Sequence, residues 1–185
     1  MRVIDLIIVI GWVAFWGYWL LSALSAKSSR RGQSPWRRFA GARVAVIVVV
    51  VFLGRALGFR SHPGHTGPVL AGVGLALFLL GLAFAIWARV YIGRNWGMPM
   101  TQRNEPELVT TGPYRRVRHP IYTGMIMAML GSVLAVNLYG LIAVAVLTGY
   151  FVFSATREES FLAREFPDTY PAYKRSTKML VPFIF

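Results

Sequence analysis

The stretch that decides the fold runs from Ile121 to Ala155. It reads IYTGMIMAMLGSVLAV over Ile121–Val136, then Asn137, then LYGLIAVAVLTGYFVFSA over Leu138–Ala155. These 35 residues contain no Asp, Glu, Lys or Arg. A helix crossing the roughly 30 Å hydrocarbon core of a bilayer needs about 17–25 apolar residues. The second run meets that length with 18 residues, and the first, with 16, has to draw on its flanks. Only Asn137, Leu138 and Tyr139 are available for a turn between them. The two runs therefore read as a tight antiparallel helical hairpin.

Three more apolar stretches lie upstream. Val3–Leu24 has 22 residues broken only by Asp5, Val44–Phe59 has 16 with Arg55 inside, and Pro68–Ile92 has 25 with Arg89 near its end. The first follows Arg2 as a signal peptide would, but it exceeds the usual h-region of about 7–15 residues and no small-x-small site follows. It reads as a retained helix. The expectation is an all-α integral membrane helical bundle with five transmembrane helices, the last two forming the hairpin, and a cytoplasmic C-terminal helical segment within Arg157–Phe185.

Composition agrees with a membrane location. Hydrophobic residues make up 56% of the 185, charged residues only 15%, and the mean hydropathy is +0.53. Average soluble chains carry about 25% charged residues. Disorder is excluded by the hydrophobicity, and the absence of Cys excludes a disulfide scaffold or a thiolate metal site. The formal charge of +13 alone would suggest nucleic acid, but its distribution explains it otherwise. Seventeen of the 20 basic residues fall in the loop after the first stretch, the loop after the third and the C-terminal tail; Arg2, Arg55 and Arg60 are the exceptions. Lys and Arg stay on the cytoplasmic side, so five crossings place the N-terminus outside and the C-terminus in the cytoplasm. Basic rims also attract anionic lipid heads.

Six of the seven acids share that basic side, and the polar chemistry concentrates there too. Gly93–His119 is a long loop, and loops beyond about 12–15 residues are often functional. The densest cluster is Gly112-Pro113-Tyr114-Arg115-Arg116-Val117-Arg118-His119-Pro120-Ile121-Tyr122-Thr123-Gly124. Pro120 fits the first position of a helix, which makes His119 the N-cap and puts Tyr122 three residues on. A helix N-terminus suits an anion. Arg157-Glu158-Glu159 ends the fifth stretch, where acids oppose the helix dipole. Because the last two helices run antiparallel, these acids lie beside His119 and Tyr122. A helix end for a carboxylate and a Glu for a cation together can hold a zwitterion. Each cluster also has a plain reading, as interfacial Arg and Tyr or as a helix continuing into water. A third cluster, Asn95-Trp96-Gly97-Met98-Pro99-Met100, reads as an interfacial belt or as a pocket lining.

No dinucleotide fingerprint or Walker loop is present. His62, His65 and His119 have no metal-ligand spacing, so no metal site is expected. Gly72, Gly74 and Gly81 suit close helix packing, within one chain or between chains.

Glu107-Leu108-Val109-Thr110-Thr111-Gly112-Pro113-Tyr114, followed by Arg118-His119-Pro120-Ile121-Tyr122-Thr123-Gly124 and, in the tail, by Glu158-Glu159, Leu162, Phe166, Tyr170, Tyr173 and Pro182, resembles the isoprenylcysteine carboxyl methyltransferase family. Bacterial phospholipid N-methyltransferases and, more distantly, sterol reductases share parts of this pattern. The resemblance covers roughly residues 67–185. At 185 residues the chain reads as a single domain over 1–185, with 1–66 supplying two helices and a basic loop and 67–185, the part the resemblance covers, the catalytic core. The resemblance implies S-adenosylmethionine as cofactor in a cytoplasmic pocket roofed by the C-terminal segment. The implied cofactor contacts are Pro106, Glu107, Leu108, Val109, Tyr114, His119, Pro120, Ile121, Tyr122 and Glu158. Two positions depart from the pattern: Pro106 stands where relatives commonly have His, and Ser154 stands where prenylcysteine enzymes have a carboxylate-binding Arg.

The expected reaction is transfer of a methyl group to a lipophilic acceptor at the cytoplasmic membrane face, either a prenylcysteine-like carboxylate or a lipid head group. A carboxylate acceptor needs a cation, for which Arg118 and Arg157 are candidates. An amine acceptor needs a base, for which Glu159 is the candidate. Trp96, Ser154 and Arg157 are the candidate substrate contacts. Partners are membrane lipids and the lipophilic substrate, not nucleic acid, and oligomeric state is left open. A short chain without a targeting segment suits a prokaryotic inner membrane. The rival readings are an amine N-methyltransferase, an NADPH-dependent reductase of the sterol-reductase type and a non-catalytic lipid-binding protein.

Overall fold

The computed structural model describes residues 3–23, 66–93 and 107–182. They form helices α1 (Val3–Ala23), α2 (Pro68–Ile92), α3 (Pro120–Val136), α4 (Leu141–Glu165) and α5 (Tyr170–Ser176), with short 3₁₀ turns at Gly112–Arg115 and Leu138–Gly140. No strand is present among the described residues; the one extended pairing is an isolated parallel bridge between Val117 and Lys178. Helices α1, α2 and α4 are long and apolar enough to cross a membrane, and the chain is an integral membrane protein. At 17 residues α3 spans only about 25 Å, short of the apolar core of a bilayer. The stretch Val44–Phe59 lies outside the described residues, as do Trp96 and Pro106.

The backbone of the bundle is a glycine seam between α2 and α3. A Cβ built on Gly74 would stand 2.7 Å from the Gly131 carbonyl oxygen, and one on Gly124 would stand 2.6 Å from the Ala85 nitrogen. Gly81 faces Ala128 and Gly124, and Gly131 faces Phe78, in the same way. The facing residue numbers sum to 205 or 209, one helical turn apart, so residue numbers fall along α3 as they rise along α2 and the two helices run antiparallel with backbone against backbone. In a bilayer, where lipid tails already satisfy apolar side chains, such close approach is what drives helices together. Gly72 takes no part: it is exposed and nothing lies within 4 Å of a Cβ there.

Helix α1 packs parallel to α2. Gly11 meets Phe78 and Leu82, Trp12 lies against Phe78, and the Arg89 guanidinium, 2% exposed, donates to the Ser22 carbonyl at 2.6 Å and to Gly93 at 2.8 Å. Arg89 thereby satisfies carbonyls at two helix ends that have no intrahelical partner. Trp12 Nε1 donates to Ser132 Oγ at 3.1 Å, which ties α1 to α3.

Asn137 leaves α3 in an extended conformation, and its side chain accepts from Tyr139 N at 2.8 Å. One 3₁₀ turn follows before α4 starts. Helix α4 continues ten residues past the last apolar residue of its span, to Glu165. That extension carries Glu158 and Glu159 on a rigid helix rather than on a loop.

Candidate functional site

The site forms where the N-terminus of α3 meets the polar end of α4. Pro120 opens α3 and His119 is its N-cap, but no side chain caps the helix. The free N–H groups of the first turn therefore keep their partial positive charge. His119, Tyr122 and Phe151 form a column of stacked rings. His119 and Tyr122 are nearly parallel at 9° with centroids 5.6 Å apart, and Tyr122 and Phe151 are 5.0 Å apart. Phe151 and Glu158 are seven residues apart on α4, two helical turns, so they share a face.

Glu158 closes this column. Its carboxylate accepts from Tyr122 OH at 3.3 Å and lies 3.3 Å from His119 Nδ1. Glu159 lies deeper. It pairs with Arg118 Nε at 2.6 Å and with Lys174 Nζ at 2.8 Å, and lies 3.5 Å from His119 Nε2. The last contact has ion-pair distance without hydrogen-bond alignment, for His119 Nε2 has no hydrogen-bond partner among the described residues. The two acids are thus unlike. Glu159 is 3% exposed and surrounded by cations, whereas Glu158 is 25% exposed and faces one imidazole and one phenol. Burial opposes the His119 imidazolium, but the close approach and negative charges of Glu158 and Glu159 outweigh it, and the imidazole holds its proton to a higher pH than usual.

A C-terminal strap covers this end. Arg118 N donates to the Lys178 carbonyl at 2.8 Å, His119 N to Met179 at 3.1 Å, and Lys178 N to Arg116 at 3.2 Å. Thr123 Oγ1 donates to the Leu180 carbonyl at 2.7 Å, and Tyr173 OH donates to the Tyr114 carbonyl at 2.7 Å. The Arg118 guanidinium donates to the Lys174 and Thr177 carbonyls as well as to Glu159. Burial pushes the Tyr170 and Tyr173 phenols up, so both stay protonated.

The residues singled out in the sequence do not all meet. Arg118, His119, Pro120, Ile121, Tyr122, Glu158 and Glu159 are brought together. Glu107, Leu108 and Val109 form the extended approach to the Gly112–Arg115 turn, with Val109 packed on the core. Tyr114 is buried in that turn, but its hydroxyl points at α2, where it donates to the Ala88 carbonyl at 3.4 Å. Ser154 is fully buried on α4, one turn before Glu158, and its Oγ has no hydrogen-bond partner among the described residues. Arg157 stands apart: it is exposed, with its guanidinium 5.2 Å from the ring centroid of Phe153 on the same helix. Arg118, expected to face a substrate carboxylate, spends its donors on Glu159 and on the strap. Lys174 and Thr177 were not anticipated. The spacing of Tyr170, Tyr173 and Thr177, at i, i+3 and i+7, was the available signal: two buried tyrosines share one face of a short helix and the buried threonine stands at its end.

Comparison with known proteins bears on this arrangement. A family model described as phospholipid methyltransferase matches residues 69–169. The chain is 31% identical over 138 residues to the cobalt-zinc-cadmium resistance protein CzcN of Cupriavidus metallidurans, an alignment covering 73% of this chain and 61% of that protein. It is 30% identical over 119 residues to protein-S-isoprenylcysteine O-methyltransferase B of Arabidopsis thaliana, covering 62% of this chain and 60% of that one. The chain therefore spans about three fifths of the length of these curated relatives. The solved structure of the eukaryotic intramembrane Ras methyltransferase, isoprenylcysteine carboxyl methyltransferase, superposes with a TM-score of 0.54 over 83% of this chain and 55% of that chain, at 24% identity. That likeness concerns the fold. Among the described residues no group of three His, Cys, Asp or Glu side chains could hold a metal ion.

Proposed function

The chain belongs to the phospholipid methyltransferase family, and on that premise we propose that it transfers a methyl group from S-adenosylmethionine to a lipophilic acceptor at the cytoplasmic membrane face. The observation that carries this reading is the convergence of an uncapped helix N-terminus, a buried imidazole and a partly open carboxylate within one cluster. The methionine end of the cofactor is a zwitterion. Glu158 suits its ammonium, and the first turn of α3 with His119 suits its carboxylate. The open side of Glu158 is a polar group with bonding capacity left over, which is what a bound ligand uses. Pro106, Leu108 and Val109 are assigned to the same pocket from the family resemblance. When bound, the cofactor supplies an electrophilic methyl group on a sulfonium.

The chain's own residues then align and exclude water. Tyr122 holds Glu158 by its hydroxyl and stacks on His119, so the two ligand-facing groups keep a fixed separation. The strap covers the cluster from the cytoplasmic side. Ser154, buried one turn before Glu158 with bonding capacity left over, is the polar group assigned to the acceptor in this reading. The geometry favours neither Arg118 nor Arg157 as the group that positions an acceptor carboxylate. Nor does it favour Glu159 as a base, because its carboxylate is ion-paired with two cations and a proton taken there would displace those pairs. An acceptor head group that is already nucleophilic, or that loses its proton to water, fits better. The acceptor is a prenylcysteine-like carboxylate or a lipid head group, the lipid tail lies between helices, and the crossing count is five.

Titration of the purified protein with S-adenosylhomocysteine tests this reading. Saturable micromolar binding is expected, weakened in Glu158→Gln and in His119→Ala while helical content is kept. Wild-type affinity in both variants would show that the site is misplaced. Binding of NADPH in place of S-adenosylhomocysteine would indicate a reductase. Methylation of a lipid extract with labelled cofactor then identifies the acceptor.

A further inference from the structure

Glu159 is the one acid of the cluster that nothing above puts to use, and three segments converge on it. Arg118 reaches its Oε1 from the entry to α3 at 2.6 Å, His119 Nε2 faces the same oxygen at 3.5 Å, and Lys174 of α5 reaches Oε2 at 2.8 Å. Arg118 continues the chain of contacts to the carbonyls of Lys174 and Thr177. The backbone pairs of Arg116, Arg118 and His119 with Lys178 and Met179 then fix the next residues of the strap. We infer that Glu159 is a positioning residue: one buried carboxylate holds the C-terminal strap down and at the same time holds the His119 imidazole in its place beside Glu158.

The physical case rests on what the carboxylate replaces. Arg118 is within reach of no other carboxylate among its contacts, and its guanidinium is nearly buried. Without Glu159, a cation would sit in a dry site with only carbonyls for company, and such a charge is strongly disfavoured. Arg118 would leave the site and take with it the hydrogen bonds to Lys174 and Thr177. The charged and titratable groups around His119 are Glu158 and Glu159 from α4, Tyr122 from α3, Arg118 beside it in the chain, and Lys174 of α5 behind Glu159. Only the two acids favour the imidazolium. Replacing Glu159 thus removes one of the two acids that favour the charged form of His119 and, independently, the side-chain anchor of the strap. Both effects are properties of the empty protein. They rest on the proposed reading only where they bear on cofactor affinity.

The test uses the full chain in detergent or nanodiscs, with histidine isotope labelling. Nuclear magnetic resonance follows the His119 imidazole through a pH titration, with His119→Gln to assign the signal, and trypsin probes the strap at the exposed Arg175 and Lys178. Glu159→Gln, which keeps shape and loses charge, is expected to weaken the proton affinity of His119 by about tenfold and to speed strap cleavage about tenfold, with Glu159→Asp recovering part of both. Wild-type titration and wild-type cleavage in Glu159→Gln overturn the inference. If Glu159→Gln loses its helical signal altogether, Lys174→Met takes its place. Lys174 is 53% exposed, so its loss leaves the core intact; faster strap cleavage then supports the inference, and an unchanged rate overturns it. Failure of the wild type to bind S-adenosylhomocysteine counts against the proposed cofactor alone and leaves the titration and cleavage results standing.

Discussion

The glycine seam and the ionisable cluster lie on the same helix, α3, and they are built by opposite means. Along the seam, side chains have been removed until backbones touch. At the N-terminus of α3, side chains with charge and hydrogen-bonding capacity have been crowded together until nearly every polar atom has a partner. The seam has no chemistry to offer and no tolerance for added volume. The cluster tolerates changes of shape poorly too, but its weak point is charge, because each ion there is held by one or two others. The first region fixes where α3 stands, and the second uses that position, since His119 and Tyr122 reach Glu158 only if α3 keeps its depth relative to α4.

The largest expected effect therefore belongs to the seam. Gly81→Leu puts a branched side chain where even a methyl group would overlap the Ala128 backbone. The obstruction is backbone, so no rotamer change relieves it. A loss of about 3 kcal/mol or more is expected, at the upper end of overpacking penalties, read as unfolding at lower SDS fraction in mixed micelles. Gly72→Leu, on the exposed face of the same helix, is the control and should stay within about 0.5 kcal/mol of wild type. Equal stability of the two variants would mean that the seam does not hold the bundle together.

Next come Glu158→Gln and His119→Ala. A hydrogen bond to a charged group contributes about 1.5–3 kcal/mol, so each variant should bind S-adenosylhomocysteine roughly 10- to 100-fold more weakly. Isothermal titration with the purified protein measures this. The unfolding midpoint of Glu158→Gln should move much less than that of Gly81→Leu. A Glu158→Gln variant that unfolds as readily as Gly81→Leu would erase the distinction between the two regions.

The two regions were also legible to different degrees. Apolar run length located α1, α2 and α4, and for α2 the limits Pro68–Ile92 are those of the apolar run itself. Pro120 marked the start of α3, and the short Asn137 turn set the register that places Glu158 and Glu159 near His119. Rotation about the axis of α4 was not legible. Neighbouring residues on a helix point about 100° apart, so one of two adjacent acids must face inward. Choosing between them required the position of the strap, whose bridge between Val117 and Lys178 joins segments 61 residues apart without any periodic signal. The strap turned the expected roles around. Arg118 and Glu159, which looked available for an acceptor, are paired with each other, and Lys174 and Thr177 became part of the cluster.

A smaller effect comes from pH. The folded-state pKa of His119 is raised above the ordinary imidazole value of about 6.5. The stabilisation from its charged form is therefore fully present below that ordinary value and is lost as pH rises through the folded value. Wild-type stability should fall across this window, and His119→Gln should show a flatter profile there. The seam contains no group that titrates, so a Gly81→Ala variant should shift the whole curve downward and keep its slope. A slope that is the same in wild type and His119→Gln would place the titrating group elsewhere.

The smallest effect is expected at Arg157, and it sharpens the boundary of the cluster. Arg157 is next to Glu158 in sequence, yet its guanidinium lies over Phe153 on the exposed side of α4. An exposed cation–π contact contributes about 0.5–1 kcal/mol, and replacing Arg157 removes that and one positive charge from the membrane rim. Arg157→Ala should therefore bind S-adenosylhomocysteine within about twofold of wild type and lose less than about 1 kcal/mol of stability. If Arg157→Ala instead abolished methylation of a lipid extract while cofactor binding survived, the arginine would have to swing from Phe153 toward the acceptor. The candidate for a carboxylate-binding cation would then be Arg157 after all, and Ser154 would mark the room left for it.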